Sequence, residues 1–172
     1  MFIDSHCHLD RLDLSKHNDS LTDLLNDARQ RGVSKMLCVG IDMNLYPAML
    51  EAIEGQSDVF TSVGIHPCHV EESPWNEAQI RQAVAANQRV VALGETGLDF
   101  FYKTDTKEQQ IDSFANHLRL GSELDLPVII HTREAREATL EVMQEHADPN
   151  TAGVMHCFTE TMDMAMRSIE LG

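Results

Sequence analysis

Val90-Val91-Ala92-Leu93-Gly94-Glu95 is a short apolar run that stops on a carboxylate. Ile111, Phe114, Ala115 and Leu118 follow at helical spacing, and Pro127 then leads into Val128-Ile129-Ile130-His131, a second apolar run that stops on an imidazole. Strands so short and so apolar suit a parallel sheet covered by helices, and this strand–helix–strand unit is the building block of an α/β fold. Outward from it, the pattern repeats in both directions. Upstream lie strands over 1–8, 33–40 and 59–66. They are separated by helical faces carrying Leu21, Leu24, Leu25 and Ala28 (started by Ser20 and Asp23, stopped by Gly32), Leu45 to Ile53, and Ile80, Ala83 and Val84 after a start at Ser73-Pro74. Downstream lie a helical face from Ala135 to Met143, a strand over 152–156 and a helix carrying Met162, Ala165, Met166 and Ile169. That makes six β/α units in series. Either an open doubly wound sheet or a β/α barrel fits them. No Gly-x-Gly-x-x-Gly follows a strand, which disfavours a dinucleotide-binding sheet. A complete barrel needs eight units and typically about 250 residues, so six units make either an open six-stranded sheet or a barrel without its last two strands.

Hydrophobic residues make up 42 % of the 172-residue chain, enough for one core. No apolar run approaches membrane-crossing length, and no basic, apolar signal segment opens the chain. The expectation is one cytoplasmic domain over 1–172, without a membrane partner and C-terminally incomplete. Thirteen basic against twenty-eight acidic side chains leave a net charge of −15. That field argues against a duplex-DNA-binding module. It leaves a DNA-processing enzyme open, because bound divalent cations bring positive charge to the one place a phosphodiester needs it. Cys7, Cys38, Cys68 and Cys157 form no Cys-x-x-Cys pair and read as reduced thiols. Cys7, Cys38 and Cys157 sit in apolar runs and are expected to be buried and inert.

The polar residues at the strand ends carry the chemistry. His6 and His8 end the first strand, His66 the third, Glu95 the fourth, His131 the fifth and His156 the sixth. Core packing does not produce such a series, and parallel β/α folds gather their active sites at the C-terminal ends of strands. The period of two places His6 and His8 on one strand face, within reach of one ion, with Cys7 opposite. Imidazoles bind borderline ions such as zinc, and a carboxylate such as Glu95 can bridge two ions. Asp4, deeper on the same face, is read as a partner that orients an imidazole, and Asp99 either as a loop cap or as the further carboxylate that handles a water. His17, His69, His117 and His146 match no pattern and are assigned to surface or packing, and Cys68-His69 to a loop.

These residues resemble a known family. Asp4-Ser5-His6-Cys7-His8-Leu9-Asp10, Gly64-Ile65-His66-Pro67, Ala92-Leu93-Gly94-Glu95-Thr96-Gly97-Leu98-Asp99, Pro127 to Arg133, and Val154-Met155-His156-Cys157-Phe158 are similar, in order, to the motifs of TatD-type metal-dependent deoxyribonucleases. The resemblance runs from Phe2 to Gly172. It implies a (β/α)8 TIM barrel of the amidohydrolase type and two divalent ions (zinc, magnesium or manganese). His6 and His8 would hold the first ion, His131 and His156 the second, and Glu95 would bridge. It further implies that Glu95 and His66 are catalytic, that His66 and Arg133 bind the substrate phosphate, and that a metal-activated water cleaves phosphodiester bonds at DNA ends. The family's strand-eight aspartate, in a Glu-Thr-Asp-Ser-Pro motif, has no counterpart in this chain. The second ion site is therefore expected to survive better than the first, with little turnover and self-association through open sheet edges. The competing expectations are an amide or lactone hydrolase using the same constellation, and a metal-binding fragment without turnover.

Overall fold

The computed structural model describes residues 1–151 and 153–172, so the part of the expected sixth strand at Ala152 lies outside the described residues. Six strands are present: β1 (Phe2–Cys7), β2 (Val33–Cys38), β3 (Val59–Val63), β4 (Val90–Asp99), β5 (Val128–Arg133) and β6 (Gly153–Met155). They alternate with α1 (Leu21–Gln30), α2 (Tyr46–Ala52), α3 (Glu77–Ala86), α4 (Lys107–Leu124), α5 (Arg136–His146) and α6 (Met162–Glu170). Every pairing is parallel and the spatial order is β1-β2-β3-β4-β5-β6. A doubly wound sheet reverses its strand order partway. This sheet never does, which settles the alternative in favour of the barrel type and leaves a half-barrel with β1 and β6 as its edges.

Two apolar layers follow from the pleat. Outward-facing Met36, Cys38, Val59, Val63, Leu93, Val128 and Ile130 pack against the helices together with Leu25, Ile53, Ile80, Phe114 and Leu118. Inward-facing Val39, Ala92 and Ile129, with Leu37 and Ile41 against them, form a small separate cluster on the concave face. This inner layer is the floor under the strand-end residues. Among the described residues no helix is long and apolar enough to cross a membrane.

Several boundaries differ from the sequence expectation, each for a local reason. The third helix begins at Glu77, not Ser73, because Asn76 caps it by accepting the Gln79 N–H at 3.2 Å, while Ser73 Oγ accepts the Met43 N–H. Strand β3 stops at Val63, and His66 lies in the turn beyond it, capping the 3-10 turn Pro67–His69. Strand β4 runs four residues past Glu95 to Asp99. A register shift between Leu93 and Thr96 lets it pair again with β5, Gly97 opposite His131 and Asp99 opposite Arg133. Cys157 is exposed rather than buried, since β6 has ended at Met155 and Cys157 turns through φ 46°.

Candidate metal centre

Glu95 is the hub. It is 4 % exposed, and its two oxygens face different imidazoles. Oε2 lies 3.2 Å from His6 Nε2, while Oε1 lies 3.3 Å from His131 Nδ1 and 3.8 Å from His66 Nε2. Gly94 and Gly97, close on either side of Glu95, have positive φ (113° and 129°). A side chain at Gly94 would meet the Ile129 carbonyl at 2.6 Å, and one at Gly97 would overlap the His131 carbonyl. Glycine is therefore required on both sides of Glu95 for β4 to crowd β5 this closely.

The remaining strand-end groups gather around it. The His6 and His156 rings stack at 3.4 Å with 6° between planes, and His8 stands edge-on to His6 at 5.1 Å. The His66 and His131 rings meet at 4.5 Å. Ligand atoms of His6, Glu95 and His156 lie within 4.8 Å of one another, and so do those of His66, Glu95 and His131. The resemblance assigns His6 and His8 to one ion and His131 and His156 to the other; in the structure both His8 and His156 lie beside His6, and His66 lies beside His131. Among the described residues Asp4 makes no hydrogen bond to an imidazole: its Oδ1 accepts the backbone N–H of His6 at 3.2 Å.

Hydrogen bonds fix what each ring offers. His8 Nδ1 faces the Val39 carbonyl at 3.2 Å, so it carries the proton and leaves the Nε2 lone pair free for an ion. His66 Nδ1 accepts the Cys68 N–H at 3.1 Å, so its Nε2 carries the proton when the ring is neutral and acts as a donor, not a ligand. His131 lies between two carboxylates, with Nε2 3.0 Å from Asp99 Oδ2. Asp99, 1 % exposed, is the loop cap, its Oδ1 accepting the Phe101 and Tyr102 N–H groups at 3.0 and 2.8 Å, while its Oδ2 orients His131, the kind of role the sequence reading gave to Asp4. Carboxylate, imidazole and ion in line is how proteins fix a metal-ligating histidine.

Ionisation follows from these contacts. Burial pushes His66 down to about 4, which outweighs the Glu95 charge and keeps the ring neutral. Burial alone would raise Glu95, but close approach of His131 and His6 holds its carboxyl well below the usual range. Burial would lower His131, and the Glu95 and Asp99 carboxylates reverse that and raise it. His156 is lowered by burial and by the neighbouring His6. The donor set suits a divalent ion on one further observation: His6 Nε2 is buried and has no hydrogen-bond partner, although Glu95 Oε2 is 3.2 Å away. A ring nitrogen so placed is open to share a cation with the carboxylate. Beside the centre opens a cleft of ≈ 690 Å³, lined by His131, Arg133, His156, Cys157 and Glu160 among others.

Two supporting residues escape the strand-end reading. His117, fully buried in α4, accepts the Ile65 N–H at Nε2 (3.3 Å) and meets Ser113 O (2.7 Å) and Thr96 Oγ1 (3.1 Å) at Nδ1, tying the helix to both site loops. Gln110, also fully buried, accepts the Asp99 N–H at 2.8 Å and donates to the Lys103 carbonyl and Thr106 Oγ1.

Comparison with known proteins agrees with the family resemblance and the fold. The family model described as TatD related DNase matches residues 3–172. The uncharacterized metal-dependent hydrolase YcfH of Escherichia coli K12 is 40 % identical over 170 residues, which cover 99 % of this chain and 63 % of that protein. A 3'-5' ssDNA/RNA exonuclease TatD of Erwinia tasmaniensis is 34 % identical over 139 residues, 80 % of this chain and 54 % of that one. The crystal structure of YjjV, a TatD homologue from Escherichia coli K12, superposes with a TM-score of 0.84 at 30 % identity, over 99 % of this chain and 65 % of that chain. The chain thus spans less than two thirds of the length of these relatives.

Proposed function

Because the chain belongs to the TatD-related DNase family, we propose that its site serves metal-dependent hydrolysis of phosphodiester bonds at single-stranded nucleic-acid ends. The observation that carries this is the buried Glu95 carboxylate shared among His6, His66 and His131, with the His6 ring nitrogen left unpartnered. His6, His8, Glu95, His131 and His156 would hold the ions. Bound divalent ions supply Lewis-acid charge against a phosphoryl oxygen and lower the pKa of a water. The protein's own part is positioning. Asp99 holds His131 with Nδ1 toward Glu95. His66, neutral and with its proton on Nε2, donates that N–H to a non-bridging phosphate oxygen without placing another charge in the centre. Arg133, at the mouth of the cleft, offers a guanidinium to a neighbouring phosphate. The name of the Erwinia relative supports a single-stranded substrate.

The test is a substrate panel of labelled single strands, duplexes, and a lactone and an amide. It is run on the 172-residue chain and on a form lengthened to the size of the relatives. Cleavage of single strands that disappears with chelator, returns with a divalent ion and is lost in Glu95→Gln is the expected result. Lactone or amide hydrolysis without nucleic-acid cleavage would overturn it.

A further inference from the structure

Beyond the metal centre, the loop after β4 presents Phe101 and Tyr102 side by side, 54 % and 64 % exposed. Their rings meet edge to face at 4.8 Å. The Arg133 guanidinium lies over both, 4.3 Å from the Phe101 centroid and 4.6 Å from that of Tyr102. A single exposed aromatic residue is ordinary; two together beside a cation at the edge of a polar centre are not what packing requires.

The platform is held in place before anything binds. Asp99 Oδ1 accepts the N–H groups of both aromatic residues, and Gln110 grips the loop at Asp99, Lys103 and Thr106. A stacked ligand would therefore not have to order the loop. Arg133 takes part in no ion pair and no side-chain hydrogen bond among the described residues, whereas nearby Arg136 is paired with Glu160 at 2.7 Å. Its guanidinium carbon sits over the two rings, and the residue is exposed. Arg133 also lies two residues beyond His131 on β5, on the same strand face, and lines the same cleft as His131 and His156.

We propose that Phe101, Tyr102 and Arg133 form a stacking platform for an unpaired nucleobase, with the Arg133 N–H edge on the adjoining phosphate; this rests on the phosphodiesterase reading above. Net charge of −15 denies the protein a long-range grip on a polyanion. Stacking on aromatic faces is short-ranged, tolerant of sequence and independent of that field. Inside a duplex both faces of a base are covered by its neighbours, and at a blunt end the exposed face belongs to a rigid base pair, so the platform favours an unpaired base that can turn into the cleft.

The experiment uses fluorescence polarisation with the metal-loaded 172-residue chain and three probes: a phosphorothioate thymidine octamer, an abasic ladder of the same length and charge, and a blunt hairpin. The thymidine octamer should bind at least tenfold more tightly than the other two, roughly the range of one stacked base. The double variant Phe101→Leu/Tyr102→Leu should erase that preference, and Tyr102→Phe should keep it. Arg133→Gln should weaken octamer and abasic ladder alike. A double variant that keeps the wild-type preference, or a wild-type chain that binds octamer and abasic ladder equally, overturns the stacking platform and leaves the phosphodiesterase reading to the cleavage assay. A wild-type chain that binds no nucleic acid, while the lengthened form cleaves only lactone or amide, overturns both.

Discussion

Asp99 spends one oxygen on the loop and the other on His131 Nε2, so its removal frees a ring that ought to be fixed. Asp99→Asn leaves the shape and removes the charge; it should weaken zinc binding by about 10- to 100-fold, the usual cost of losing such a partner, as read by competition with a chromophoric chelator. Unchanged affinity would mean that the Asp99–His131 contact belongs to the loop alone. His117 gives a different handle. Burial lowers it from 6.5 to about 4, so the folded state keeps the ring neutral where the unfolded chain would protonate it. Between those values the unfolded state binds more protons, and stability falls as pH drops through the window, by on the order of 3 kcal/mol in all. Urea midpoints of wild type should therefore decline from pH 6.5 toward 4 more steeply than those of His117→Gln. Equal slopes would place the buried-neutral account in error. His6, Glu95 and His131 were legible in the sequence because each stands out against an apolar strand. His117 and Gln110 were not, because a polar residue within a helix ordinarily faces water. The clue was spacing: Gln110, Phe114, His117 and Gly121 fall on one helical stripe, and all four are buried.

At the scale of elements, β4 holds most of what the sequence left out. The apolar run that marks it stops at Glu95, whereas the strand shifts register between Leu93 and Thr96 and continues to Asp99. Gly97→Ala combines a φ of 129° with overlap on the His131 carbonyl. It should cost more than about 2 kcal/mol of stability and also displace β5, so that metal affinity falls further than in Gly55→Ala. Gly55 has φ 77° but nothing near its missing Cβ, and it serves as the control for backbone strain alone. Chemical denaturation of both variants beside metal titration makes the comparison; equal metal affinity in the two would show that the β4–β5 approach does not set the centre. Strand order was the other open point. Six apolar strands fit an open sheet or a barrel equally well, and only the unbroken succession from β1 to β6 separates them.

For the whole molecule, the described surface concentrates its apolar exposure at the two sheet edges. Phe2 (68 %) and Ile3 (63 %) lie on β1, Val154 (55 %) on β6, and Met162 (77 %) and Ile169 (71 %) on the adjoining α6. Unpaired strand edges with apolar side chains are templates for another chain. The 172-residue chain should therefore sediment as concentration-dependent oligomers. Charged substitutions at Ile3 and Val154 together should shift it toward monomer, and sedimentation velocity across a dilution series decides. A monomer at every concentration would show that these edges are inert.

The stacked rings of His6 and His156 have a mechanical meaning as well. His6 lies near the end of β1 and His156 directly after β6, the two ends of an otherwise unclosed arc. Glu95 reaches them from the middle of that arc, with a carboxylate oxygen within 4.8 Å of a ring nitrogen of each. A cation seated among the three would act as a bowstring, setting the span between the limbs, and whatever stretches or slackens the bow would be felt as a change in how tightly the ion is held.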